Sequence, residues 1–368
     1  MVVGMSGGVD SSVSALLLKQ QGFNVIGLFM KNWEEQDDNG VCLASREYED
    51  VISVCEHLGI PYYSVNFVKE YWDQVFSFFL KELKEGYTPN PDILCNREIK
   101  FNAFLAKAKS LGADYLATGH YCQIGRDPEH PKLLKGLDPG KDQSYFLYTQ
   151  KEEILKQVLF PIGHLNKSDV RKIAEDHGLA TADKKDSTGI CFIGERNFKQ
   201  FLKKYISYSS GHFQTLQGEK VGVHEGAAFY TIGQRKGLGI GGAGLPWFVV
   251  SKCIKKNIVY VEQGTDHPAL YSDTLTATDI SWVASTPPTL PLQCKAKIRY
   301  RQSDQPCIIE KEDNGTLFVK FLNPQRAITP RQSIVFYQED HCLGGAMIHK
   351  SGPTYFEEGR SISENFIE

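Results

Sequence analysis

Two cysteines, an aspartate and a Gly/Ser turn have the residue types and spacing of reacting groups. Cys95 stands in Asn90-Pro91-Asp92-Ile93-Leu94-Cys95-Asn96, three residues after Asp92. Cys191 stands in Asp186-Ser187-Thr188-Gly189-Ile190-Cys191-Phe192-Ile193-Gly194, just downstream of Lys184 and Lys185. Pro89 and Pro91 predict an extended, rigid approach rather than a helix. Asn96 then caps the helix that follows, and Cys95 lies by its N-terminus. A helix N-terminus or a nearby cation favours the thiolate, the reactive form of cysteine. Asp92 is placed to reach the same substrate atom. The plainer alternatives are turn and cap residues around Cys95, and a buried Cys opening a strand at Cys191. Two such thiols in one domain suggest sulfur chemistry, one carrying a persulfide and the other resolving it.

The third group is Gly4-Met5-Ser6-Gly7-Gly8-Val9-Asp10-Ser11-Ser12. Val2 and Val3 read as the end of a strand. Val13 to Gln21 read as a helix with Gly22 as its left-handed stop. A Gly/Ser turn between strand and helix frees N–H groups to face an anion, and the helix dipole adds about half a positive charge there. The lysine of a Walker loop is missing. The segment resembles the SGGxDS loop of the PP-loop ATP pyrophosphatases, which implies ATP.

The elements that must position these groups follow from the hydrophobic pattern. Val25–Met30 and Pro61–Asn66 read as buried strands, as does Tyr115–Thr118. Arg46–Leu58, Glu70–Lys84, Glu98–Ser110 and Lys167–Gly178 read as helices. Alternation of this kind predicts a doubly wound parallel sheet with ligands beyond the carboxyl ends of its strands. The Ser6–Ser12 loop, Met30 and Gly119 fall at that edge. After about Tyr205 short β-like runs with Gly-rich turns replace the helices. The six glycines of 233–244 read as a surface loop. From Thr274 onward only strands are expected, and Asp313-Asn314-Gly315 marks a hairpin. The predicted architecture is α/β: a PP-loop domain over 1–205, a small β-rich domain over 206–273, and a C-terminal β-barrel over 274–368. Lys295, Lys297, Arg299 and Arg301 recur at every second position, which in a strand makes a positive stripe suited to a phosphate backbone.

A net charge of −3 excludes a generally basic nucleic-acid binder, so any RNA contact is a local patch. No apolar run approaches the roughly 18 residues that span a bilayer, and no signal or transit peptide is expected ahead of the loop. A cytoplasmic location is expected. The chain has nine cysteines and no C-x-x-C pair, which argues against a zinc ribbon. Cys55, Cys253, Cys294 and Cys307 read as buried small hydrophobes.

Together these segments resemble the tRNA-specific 2-thiouridylase family over nearly the whole chain. Phe29–Trp33, Ile99–Phe101, Thr118–Tyr121, Lys141–Tyr145 and Tyr230–Gly237 join the motifs above in carrying the likeness. The resemblance implies ATP-dependent exchange of oxygen for sulfur at carbon 2 of a tRNA wobble uridine, in Lys, Glu and Gln type anticodons. It implies ATP phosphates held by Gly4, Met5, Ser6, Gly7, Gly8, Val9, Asp10 and Ser11 with Mg²⁺, and adenosine held by Met30 and Gly119. Asn90, Pro91 and Asp92 would contact the target uridine, with His120 close by. Lys141, Asp142, Gln143, Arg299, Tyr300 and Gln332 would touch tRNA. Cys191 would receive the persulfide from a cysteine desulfurase or sulfur-relay protein. Cys95 would release its sulfur, leaving a Cys95–Cys191 disulfide or free sulfide, with Asp92 as acid/base. No dedicated metal site is expected. Tyr300 and Arg299 face opposite ways in a regular strand, so a strand end or bulge is expected there. The short lead-in before Gly4 predicts a weakly paired first strand. A PP-loop ligase for small molecules and an ATP-gated RNA-binding protein are the rival readings. A tRNA thiolase built on an iron–sulfur cluster is a third, though it usually needs a C-x-x-C pair.

Overall fold

The computed structural model describes residues 1–34, 43–186, 198–207, 209–312 and 315–362. Five parallel strands form the N-terminal sheet: β1 Val2–Met5, β2 Ile26–Lys31, β3 Tyr62–Asn66, β4 Leu116–Ala117 and β5 Val158–Leu159. Their order, β3-β2-β1-β4-β5, is that of a doubly wound sheet. β1 is central and short, yet all four of its residues pair with β2, so the expected weakness is not seen. Burial on both faces explains its apolar run. Val2 enters one core with Phe101 and Phe104, while Val3 and Met5 enter another with Val13, Val54 and Cys55.

Helix α1, Val9–Gln20, starts directly after Gly8, four residues earlier than the pattern suggested. Its chain reverses at Gly22, φ +86°, where a Cβ would be costly. Helix α2 is Leu43–Leu58. Helical residues 68–84 form α3 and residues 91–110 form α4, each interrupted by a π-helical stretch, Trp72–Phe76 and Cys95–Ala103. Helix α5 is Lys167–Asp176, opened by an Asn166/Asp169 capping box.

The middle sheet has β6 Gly211–Gln214, β7 Lys220–His224, β8 Trp247–Cys253 and β9 Ile258–Gln263, in the order β8-β9-β6-β7. Gly237, Gly239, Gly241 and Gly242 have open space where a side chain would be, as a surface loop requires. The C-terminal strands are β10 Tyr271–Trp282, β11 Leu292–Lys297, β12 Gln305–Lys311, β13 Leu317–Arg326, β14 Ser333–Gln338 and β15 His341–Ser351. β10 pairs with both β13 and β15, so these six antiparallel strands close into a barrel. β12 and β13 are the arms of the expected hairpin.

The barrel is not a loose appendage. A hairpin of the first domain, Cys122–Ile124 with Leu133–Lys135, adds to β15 through Leu133 opposite Cys342. Val335, Tyr337 and Cys342 of the barrel share one core with Phe101, Phe104 and Leu116. The ends of β1 and β4 and the middle of α4 are therefore fixed against a common apolar body.

Candidate active site

β1 ends at Met5 and α1 begins at Val9, leaving the turn Ser6–Gly8 at the carboxyl edge of the sheet. Gly7 has φ +72°, and a Cβ there would lie 2.6 Å from the Glu47 carbonyl oxygen. Gly8 is the N-cap and offers no side chain to the first-turn N–H groups, so they and the helix dipole face outward. The Ser6 N–H donates to Ser11 Oγ at 3.2 Å, and the Ser11 and Ser12 hydroxyls donate to the Gly8 carbonyl at 3.0 and 2.9 Å. The turn is thus held from inside, with its anion-facing donors in place. Met30, the last residue but one of β2, lies at the same edge. A Cβ on Gly119 would meet the Asp10 carbonyl carbon at 2.8 Å and Ser11 N at 2.9 Å. Only glycine lets the end of β4 come this close to the helix.

Asp10 is the centre of an ionic group that spacing alone does not reveal. Tyr121 donates its hydroxyl proton to Asp10 Oδ1 at 2.6 Å, and Lys167 Nζ reaches both carboxylate oxygens at 2.8 Å. Lys167 also pairs with Asp186 at 2.8 Å, which is held by Lys141 at 2.5 Å and Arg171 at 3.0 Å. Partial burial opposes ionisation of Asp186, but hydrogen bonds from Lys141 and Lys167 outweigh it and pull its pKa down to about 2. Lys184 donates to the Gly7 carbonyl at 2.9 Å and pairs with Asp50. No local signal marks Lys167, because its partner Asp10 lies 157 residues away.

The Asn90–Asn96 segment corrects the expected extended approach. α4 begins at Pro91, with Asn90 as N-cap accepting from the Asp92 N–H at 3.1 Å. Proline suits the first helical position because its missing N–H has no partner there anyway. Cys95 therefore sits a turn inside the helix, fully buried beside Ile99 and Phe76, and Asn96 does not cap. The argument from a helix N-terminus does not apply to this thiol. Cys95 opens the π-helical stretch instead, a distortion frequent at functional sites. Asn96 donates to the Phe146 carbonyl at 3.2 Å, and its own Oδ1 is buried without a protein partner. Asp92 is half-buried in the first turn. Cys191 lies outside the described residues, so the structure describes no Cys95–Cys191 geometry.

His120 follows Gly119 and is buried against Phe101 of α4 and Phe160, with ring centroids 5.6 and 6.0 Å apart. Its Nδ1 meets Thr118 Oγ1 at 2.7 Å. Burial, helped by the charge of Lys100, holds its pKa well below the usual value, so the imidazole is neutral at pH 7.

The expected tRNA residues divide. Lys141 and Gln143 are half-buried, and Gln143 is paired with the Tyr121 backbone. Asp142 is buried and accepts from the Gly136 and Ser144 N–H groups, both at 3.1 Å. Tyr300 packs against Phe146 with ring centroids 4.4 Å apart and donates to the Lys141 carbonyl at 3.3 Å. Gln332 donates to the Thr88 carbonyl, two residues before Asn90. Tyr300 and Gln332 thus bring the barrel to both ends of the Thr88–Asn96 segment. Arg299 donates to the Ala327 carbonyl at 3.0 Å and the Ile232 carbonyl at 3.5 Å. The positive stripe is not formed. β11 stops at Lys297, which is buried with Asp142 and Asp304 at 3.6 and 3.8 Å, and Arg299 and Tyr300 lie in the turn beyond. The expected strand end is present, and both Arg299 and Tyr300 lie beyond it. Among the described residues no cluster of three or more potential metal ligands occurs, and no helix is long and apolar enough to cross a membrane.

Residues 1–195 match the family described as tRNA methyl transferase HUP domain. Residues 199–263 match the tRNA methyl transferase PRC-barrel domain and residues 272–348 the aminomethyltransferase beta-barrel domain. A tRNA-specific 2-thiouridylase MnmA of Protochlamydia amoebophila is 62% identical over 363 residues, covering 98% of this chain and 96% of its own. The protein of the same name from Halalkalibacterium halodurans is 58% identical over 348 residues, covering 95% and 94%. That from Listeria monocytogenes is 58% identical over 348 residues, with the same coverage.

Proposed function

This chain belongs to the tRNA-specific 2-thiouridylase family, and we propose that it replaces the carbon-2 oxygen of the tRNA wobble uridine with sulfur at the expense of ATP. The observation that carries the reading is a juxtaposition. Gly119 abuts the N-terminus of α1, and its neighbour His120 packs against Phe101 of the helix that carries Asp92 and Cys95. A polyphosphate site and a thiol-bearing helix therefore share one edge of the sheet.

ATP, when bound, supplies the AMP group that turns a poor leaving oxygen into a good one. The residues fit it: the first turn of α1 has no side-chain cap from Gly8, and a side chain at Gly7 or Gly119 would collide with backbone. Gly4, Met5, Val9, Asp10 and Ser11 complete that cradle, and Met30 and Gly119 flank the adenosine. Mg²⁺ is expected to be carried by the phosphates, since such ions commonly need only one or two carboxylates. Asn90, Pro91 and Asp92 face the uridine, which must leave its stack to enter. Neutral His120 positions the base without adding charge. Asp92 moves the proton. Cys191 carries persulfide sulfur from a cysteine desulfurase or relay protein, and Cys95 resolves it. Asp186, linked to Asp10 through Lys167, stands five residues before Cys191 in the sequence. Lys141, Gln143, Tyr300 and Gln332 contact tRNA of the Lys, Glu and Gln type, while Asp142 and Arg299 hold those contacts from behind. Such a reaction belongs in the cytoplasm.

Incubation with tRNA, ATP and a persulfide donor, read by mass spectrometry of the tRNA, tests the reading. Wild type should yield 2-thiouridine, and Cys95→Ser and Cys191→Ser none. Full activity in either variant refutes the two-thiol scheme.

A further inference from the structure

Five cations gather on one short stretch of the middle domain, and among the described residues none of them pairs with a carboxylate. Lys252 of β8 donates to the Tyr230 carbonyl at 2.6 Å, and Arg299 donates to the Ile232 carbonyl at 3.5 Å. Arg326, at the end of β13, donates to the Thr265 carbonyl at 3.2 Å, and its Nη2 is buried without a partner. A Cβ on Gly233 would lie 3.0 Å from Arg299 Nη2 and 3.7 Å from Arg326 Nη1. A nearby carboxylate would raise the pKa of a cation. Instead burial pulls Lys252 down to about 8, and burial followed by the charge of Arg326 lowers Arg299. Arg235 and Lys236 follow directly along the chain and are exposed. In a chain of net charge −3, this is a concentrated positive patch.

The two exposed cations stand on a braced turn. The Gln234 side chain accepts from the Thr231 N–H and donates to the Lys236 carbonyl, both at 3.0 Å. The Gly233 N–H donates to the Val249 carbonyl at 2.7 Å, and the Val249 N–H to the Gln234 carbonyl at 3.0 Å. Leu238 is buried in one core with Phe213 and Val249. Gly237 and Gly239 have open space beside them, so a strand can come close to the backbone. The root of the turn touches the candidate uridine segment. The Thr231 and Thr88 hydroxyls are 3.2 Å apart, and Thr88 stands two residues before Asn90.

We propose that Arg235 and Lys236 clamp backbone phosphates of the RNA strand that carries the target uridine. This contact rests on the tRNA reading above and extends it to the middle domain. Lys252, Arg299 and Arg326 are spent on carbonyls, so they hold the turn and supply a positive field behind it. Arg235 and Lys236 reach the phosphate oxygens, Arg235 through paired N–H groups and Lys236 as a point charge. Contacts of this kind fix the register of the strand and read no base.

Binding of tRNA and of an isolated anticodon stem-loop to the full chain is measured over a series of salt concentrations. Each single-strand phosphate contact contributes about 0.7 to the slope of log K against log salt, so Arg235→Gln/Lys236→Gln should lower that slope by about 1.4. Near 0.1 M salt this corresponds to a loss of about ten-fold or more in affinity, with Tm unchanged. Lys107→Gln/Lys109→Gln removes the same charge at the end of α4, which leads into the opposite, amino edge of the sheet, and should leave the slope as it is. An unchanged slope in the first variant, or an equal fall in both, would overturn the clamp. A fall with full-length tRNA that the stem-loop does not show would overturn its place beside the uridine. The expected fall in slope supports the clamp even if wild type makes no 2-thiouridine, and that failure would count against the thiolation reading alone.

Discussion

Lys167 grips Asp10 through both carboxylate oxygens at 2.8 Å and reaches Asp186 at the same distance. One ammonium thus ties the first turn of the nucleotide helix to the segment that leads to Cys191. Lys167→Met would strip Asp10 of its cation and leave Asp186 with Lys141 and Arg171. We expect ATP-dependent pyrophosphate release to fall by roughly ten-fold or more, equivalent to about 1.4 kcal/mol of barrel-independent transition-state stabilisation. Lys167→Arg, which keeps the charge, should recover most of it. Steady-state kinetics on the two variants check this, and equal loss in both would mean that geometry rather than charge matters.

Gly119→Ala adds one methyl group where two backbone atoms of α1 stand 2.8 and 2.9 Å away. Backbone at the start of a packed helix cannot yield as a flexible side chain can, so the end of β4 must move. Overpacking of this kind costs about 1–3 kcal/mol. The damage should also displace the phosphate-facing N–H groups. Calorimetry should show ATP affinity reduced by about ten-fold, or roughly 1.4 kcal/mol, together with a lower Tm. Unchanged affinity would place the nucleotide elsewhere.

The phosphate turn was legible because its causes are local. A buried strand, two glycines and a helix start lie within twelve residues, and each has its own signature. The hairpin at Gly315 was legible for the same reason. The start of α4 was misread because Pro91 carries two opposite signals: it disfavours helix before itself and favours helix from itself onward. The Asn90 side chain, accepting from the Asp92 N–H, decides between them. The lysine stripe failed on a tertiary cause. The Gln302 side chain accepts from the Ile298 N–H at 2.8 Å and ends β11, and Lys297 turns in to Asp142 and Asp304. Alternation in the sequence does not report where a strand stops. The Asp10–Lys167–Asp186 link was invisible for a related reason, since its members come from three separate segments.

His120 gives a pH dependence with a definite sign. Its folded pKa is depressed below 6.5 by burial and by Lys100. Below that pH the unfolded chain takes up a proton that the folded chain refuses. The stabilising contribution is therefore complete above pH 6.5 and is lost as pH falls, by up to about 1.4 kcal/mol per unit. Denaturant unfolding at pH 7.5, 6.5 and 5.5 should show wild type losing more stability than His120→Gln below pH 6.5, with parallel behaviour above it. Parallel curves throughout would show that His120 titrates normally.

Arg299 separates a structural role from a phosphate contact. Its guanidinium donates to the Ala327 and Ile232 carbonyls, and a Cβ on Gly233 would come within 3.0 Å of its Nη2. Those contacts join the Gly-rich loop of the middle domain to the barrel. Arg299→Ala strands two carbonyls and should destabilise the protein by about 1–3 kcal/mol, with faster proteolysis within 233–244. A residue that neutralises a phosphate behaves differently, because its loss reduces the salt slope of RNA binding by about one. We expect the slope of tRNA binding to stay unchanged in Arg299→Ala and to fall in Lys141→Ala, whose ammonium is released once Asp186 is engaged by Lys167 and Arg171 alone. A reduced slope in Arg299→Ala, with Tm unaltered, would move Arg299 from the scaffold into the RNA interface.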